Sequence, residues 1–81
     1  MRFQITMNMP SRSGNSVHQV IADHPSGSLL EFIELLNKAD FIVVDEVYKD
    51  NEGGRSSNYY PVGSLGINSH YVGKVKVLNG P

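Results

Sequence analysis

Residues 2–9, Arg-Phe-Gln-Ile-Thr-Met-Asn-Met, alternate polar and apolar side chains without a break. Successive side chains of a strand point to opposite faces, whereas a helix would scatter this pattern around its circumference. The segment therefore reads as a β-strand, with Phe3, Ile5, Met7 and Met9 on a buried face and Arg2, Gln4, Thr6 and Asn8 on a wet one. A strand with one buried face needs neighbours in a sheet and a layer to cover that face. Pro10 is expected to end the strand, and residues 11–16, with Gly14-Asn15, read as a loop.

Residues 28–39 supply the cover. Ser28 and Glu31 have capping-box spacing ahead of an apolar run. At 100° per residue, Leu29, Phe32, Ile33 and Leu36 form a stripe flanked by Leu30 and Leu35, while Glu31, Glu34 and Lys38 lie opposite. Glu34 and Lys38 stand i,i+4 in the favourable order. Between strand and helix, residues 17–24 fit either a strand or a short helix that Ser16 and Gln19 would cap. Pro25 leaves room for only about two helical turns, which favours a strand paired in a hairpin with the first.

Residues 41–49 are β-branched and aromatic, and Phe41–Val44 is apolar on both faces, the pattern of an inner strand. Leu36 and Val43 are expected in the core. Residues 50–57 read as a long polar turn. Tyr59, Tyr60 and Val62 begin a strand that Pro61 confines to an edge or a short run, and residues 63–68 read as irregular or bent. Residues 70–78 form the last strand, with Tyr71, Gly73, Val75 and Val77 on one face and Lys74 and Lys76 on the other. Residues 79–81 read as a frayed tail.

The order is β-β-α-β-β-β. It implies an α+β domain, with a mainly antiparallel sheet of four to five strands and one α-helix packed on one face. The same order resembles the β-grasp, or ubiquitin-like, fold over most of the chain. The C-terminal Gly-Gly of ubiquitin and the sulfur carriers is absent, so the resemblance implies no conjugation chemistry.

With 81 residues the chain is expected to form a single domain over residues 1–81. At that size, stability should be roughly 4–12 kcal/mol, and most apolar side chains are needed for the core rather than for a deep substrate cavity. The absence of cysteine removes a disulfide framework, a Cys-ligated zinc and a thiol nucleophile. No apolar run approaches the ~20 residues of a membrane span, and the alternating N-terminus lacks the apolar core of a signal peptide. A cytoplasmic location is the expectation. Net charge is −1, but residues 40–52 hold Asp40, Asp45, Glu46, Asp50 and Glu52 against Lys49 alone. Residues 53–81 hold Arg55, Lys74 and Lys76 and no acid. Pairing of an acidic strand with a basic one is the expected reason for this asymmetry.

His18 and His24 raise the question of a metal site. They stand six positions apart, about 20 Å on a strand and about 120° apart on a helix, so they do not chelate together. No metal or other cofactor is expected. Asp45 and Glu46, adjacent on a strand, face opposite ways and form no working carboxylate pair, and no G-x-S-x-G elbow occurs. No catalytic residue is assigned; a small enzyme using His18, His24 or His70 is the last-ranked alternative. Gly53-Gly54-Arg55-Ser56-Ser57 has the composition of an anion nest but not the spacing of a P-loop, and reads as a turn. Tyr59, Tyr60 and Tyr71 beside Arg55, Lys74 and Lys76 would suit weak binding of single-stranded nucleic acid. RNP motifs are absent, and the pI of about 6.2 is not that of a basic binder.

The leading expectation is a non-enzymatic protein-interaction module, a small inhibitor or accessory protein such as a phage or mobile element carries. It would act through a sheet edge and a loop, with Tyr48, Arg55, Tyr59 and Tyr60 as binding residues. An exposed edge strand would also suit a homo-oligomer.

Overall fold

A computed structural model of the chain describes residues 1–50 and 58–78. The polar turn expected around residues 50–57 therefore lies largely outside the described residues, as do Arg55, the glycine-rich segment 53–57 and the tail 79–81. The alternating N-terminus forms β1 (Arg2–Ser11), which turns back through Arg12 and Ser13 into β2 (Gly14–Asp23). The expected loop thus contracts to two residues, and Gly14 takes φ +117°, a conformation that favours glycine. Residues 17–23 are strand and not helix.

Pro10 does not end β1. It sits opposite Asn15 inside the ladder. The Met1–His24 pair is hydrogen-bonded, His24 N–H donating to Met1 C=O at 2.9 Å. Pairs alternate along an antiparallel ladder, so Pro10 falls on a non-bonded pair and its nitrogen faces away from β2. On that side the partner strand stops at Met7, so the missing N–H removes no ladder bond.

After β2, Ser28 caps α1 (Leu29–Lys38), its hydroxyl accepting from Glu31 N–H at 3.1 Å. The Glu31 carboxylate reaches back to Gly27 N–H at 2.5 Å, one residue earlier than a standard capping box. Phe32 is fully buried and Leu36 packs on the core, whereas Leu29, Leu30 and Leu35 of the expected stripe stay exposed. There follow β3 (Phe41–Asp50), β4 (Asn58–Asn68), a single 3₁₀ turn at Ser69–Tyr71 and β5 (Val72–Val77). The last strand is therefore shorter than expected. Tyr71 lies in the turn, not on the strand face.

The fold is α+β: one helix and a five-stranded sheet in the order β4-β3-β2-β1-β5, with every neighbouring pair antiparallel. The β-grasp resemblance stops at element order, because β1 and β5, the first and last strands, run antiparallel instead of forming that fold's parallel pair.

Residues 59–68 belong to one continuous edge strand. The register shifts opposite Glu46 and Val47, which pair with Gly63 and Pro61, so Val62 is the extra residue of a bulge. Gly63 sits there at φ +145°. Pro61 lies on an edge strand, as expected.

β4 and β5 are opposite edges, yet only the 3₁₀ turn joins them. In a flat sheet those edges would stand about 19 Å apart, while four residue steps reach about 14 Å. The sheet therefore coils, bringing the end of β4 over the buried face of β1. Phe3, Ile5 and Met7 of β1 and Ala22 of β2 meet Ile42 and Val44 of β3 and Ile67 of β4, and Phe32 of the helix completes this core.

β3 is inner in the sheet order, but only Asp45–Val47 pair with β2. Its first residues alternate. Ile42 and Val44 are buried, while Phe41 and Val43 are 63% and 66% exposed. Val43 is thus not a core residue: nothing packs on the outer face of the sheet there.

Candidate interaction surface

The outer face of the sheet, opposite the helix, carries the Arg2 side of β1. Arg2 makes a two-pronged ion pair with Asp23, its register partner on β2: Nε donates to Oδ1 at 2.7 Å and Nη2 to Oδ2 at 3.0 Å. Its guanidinium also lies 4.2 Å from the centre of the Tyr59 ring, a cation–π contact. The hydrogen bond from Arg2 is the main force holding the Asp23 carboxyl below its usual pKa, against the opposing effect of partial burial. The same bond chiefly raises the pKa of Arg2. This triad gathers three strands at one end of the sheet, and Asp23 already neutralises the cation.

Past Val47, β3 no longer pairs with β2, and the β3–β4 ladder continues to Asp50 and Asn58. Tyr48 and Tyr60 stand directly opposite each other on this ribbon, 61% and 49% exposed. Directly opposite side chains on adjacent strands lie about 5 Å apart at Cβ, so the two rings form one patch. Tyr59 pairs with Lys49 and faces the other way, beneath Arg2. Of the expected protein-binding residues, then, Tyr48 and Tyr60 come together, Tyr59 lies on the reverse face, and Arg55 is outside the described residues.

Lys74 and Lys76, opposite Thr6 and Gln4, are on the far edge of the sheet from the tyrosine ribbon, so the acidic β3 and the basic β5 do not pair as expected. Tyr71 belongs to neither group. It lines an apolar cleft of about 310 Å³ with Met7, Met9, Phe41, Leu65 and Ile67, where the coiled sheet brings the end of β4 toward the end of β1. The sequence shows Met7 and Met9 on one face, but only the coil places them against β4.

The histidines stay apart. Nδ1 of His24 accepts from Ser26 N–H at 3.0 Å and meets the Ser26 hydroxyl, while the ring stands edge-on to Phe32. With Nδ1 accepting, the ring proton is on Nε2; the contact anchors the loop ahead of α1. His70 Nε2 meets Asp40 Oδ1 at 3.0 Å in an exposed pair. His18 is exposed on β2. Among the described residues, no group of three acids or histidines could hold a metal ion, and no helix is long and apolar enough to cross a membrane.

No protein-family model matches the chain, and no curated protein and no solved structure is similar to it.

Proposed function

We propose that the chain is a non-enzymatic interaction module, a small inhibitor or accessory protein, that presents the outer part of the β3–β4 ribbon to a protein partner. The observation that carries this reading is the exposed Tyr48–Tyr60 pair on the part of the β3–β4 ribbon that extends past its pairing with β2. Tyrosine supplies a large, stiff contact area with a hydroxyl at its tip, which is why it is enriched at interface centres. Neither ring belongs to the core cluster or to the partly buried side chains packed on it.

The test is a pull-down from lysate of the source cell, with and without nuclease, using the native chain and the double variant Tyr48→Ala/Tyr60→Ala. The reading expects a stoichiometric protein that survives nuclease and is lost with the double variant, whose circular dichroism stays native. Capture that vanishes with nuclease would replace the reading with nucleic-acid binding by Tyr59, Lys74 and Lys76. Capture indifferent to both tyrosines would reject it.

A further inference from the structure

The two edges of the sheet are built differently. β5 is six residues long and points Lys74 and Lys76 from its outer face. Short length and lysines are devices that stop an edge from pairing with another chain. β4 has eleven residues and no charge at all. Its first half carries Pro61 and the bulge, which disrupt pairing. Its second half, from Ser64 to Asn68, has neither.

The direction of the backbone there follows from one bond. Ser69 N–H donates to Asp40 C=O at 2.9 Å, and this pair continues the β3–β4 register in which Asn68 faces Phe41. Alternation then makes Ile67–Ile42 and Leu65–Val44 the bonded pairs. Ser64, Gly66 and Asn68 turn their N–H and C=O groups away from β3, toward the open edge. Gly66 has an ordinary φ, and a Cβ built on it would meet nothing within 4 Å.

We propose that this edge pairs with a second copy of itself, β4 against β4 in antiparallel register about a two-fold axis at Gly66. That register sets Gly66 opposite Gly66 and Ser64 opposite Asn68, so every outward backbone group of the segment meets one of opposite kind. On the buried face it sets Leu65 opposite Ile67 of the other copy, beside the apolar cleft that Met7, Met9 and Tyr71 line. The occupant the cleft calls for is an extended, uncharged strand with apolar side chains two residues apart. β4 itself has that composition. The absence of charge leaves the pairing without like-charge repulsion, which β5 would meet. The proposal stands on different residues from the tyrosine pair, and either can fail without the other.

Sedimentation of the full chain from micromolar to millimolar concentration, combined with amide hydrogen exchange, tests it. The native chain should pass from monomer to dimer, with the Ser64, Gly66 and Asn68 amides gaining protection as it does; those of Leu65 and Ile67 should be protected throughout. Gly66→Lys brings two cations face to face at the axis and should weaken the dimer at least about tenfold with an unchanged circular dichroism spectrum. Gly66→Pro, which removes only an outward N–H, should do the same should the lysine variant misfold. Tyr48→Ala/Tyr60→Ala should leave the dimer intact. A chain that stays monomeric at millimolar concentration overturns the proposal. So does a dimer indifferent to both Gly66 variants, or protection of the three amides only when a foreign strand peptide is added.

Discussion

The ring of Phe3 stacks on that of Phe32, centroids 4.4 Å apart and planes 15° from parallel. Both side chains are fully buried, so this contact fastens the helix to β1. Phe32→Ala should cost about 3–5 kcal/mol, the loss of a buried aromatic plus the cavity it leaves. In a domain whose whole stability is about 4–12 kcal/mol, that change should leave a large unfolded fraction. Urea unfolding followed by circular dichroism would measure it, and Phe32→Leu should recover part of the loss.

Val43 and Val44 are neighbours with opposite fates. Val44 is buried and Val43 lies on the bare outer face. Val44→Ala should cost about 2 kcal/mol, whereas Val43→Ala should stay within about 0.5 kcal/mol of the native chain. Equal losses at the two sites would mean that something covers the outer face in solution.

Ser28→Ala should cost about 1 kcal/mol, because it leaves Glu31 N–H without its acceptor at the head of α1. Ser28→Asp keeps the acceptor and should stay near native stability. Thermal unfolding of the three chains side by side decides this.

Asp23 titrates below the usual carboxylate range because Arg2 donates two hydrogen bonds to it. A carboxyl whose folded pKa is depressed stabilises the fold at pH values above its unfolded pKa, about 3.9, and loses that contribution as pH falls through the folded value. Both side chains are partly open to solvent, so screening keeps the pair at about 1 kcal/mol or less. Arg2→Gln should lower stability by that amount more at neutral pH than at pH values below the folded titration, where only its contact with the Tyr59 ring is lost. In a carboxyl-detected NMR titration, the same variant should move the Asp23 midpoint up toward ordinary aspartate.

Local pattern carried much of this fold. The alternation in residues 2–9 and the Ser28–Glu31 cap each depend on side chains within one element: Phe3, Ile5 and Met7 are buried and the cap forms, while Met9, beyond the end of β5, is exposed. The failures lie where distant elements decide. Phe41–Val44 is apolar on both faces, the pattern of a strand covered twice, but β2 ends before it can flank this stretch and no second layer reaches it. Pro10 breaks a ladder only where its missing N–H would have bonded, and that depends on where β5 stops. The tyrosines show the same limit. Adjacent in sequence, Tyr59 and Tyr60 must take opposite faces of a strand, yet which of them meets Arg2 follows from the register and coil of the sheet.

Phe3 and Val77, opposite each other in register, belong to the first and last strands of the chain's sheet. Contacts so distant in sequence are the slow ones to form, because the chain between them must be ordered first. During synthesis β1 emerges long before β5, so one side of β1 waits with its backbone groups unpaired until β5 has left the ribosome. The protective lysines arrive with the strand that ends this exposure. The sheet should therefore acquire its shape cooperatively and late, with β5 as the closing step.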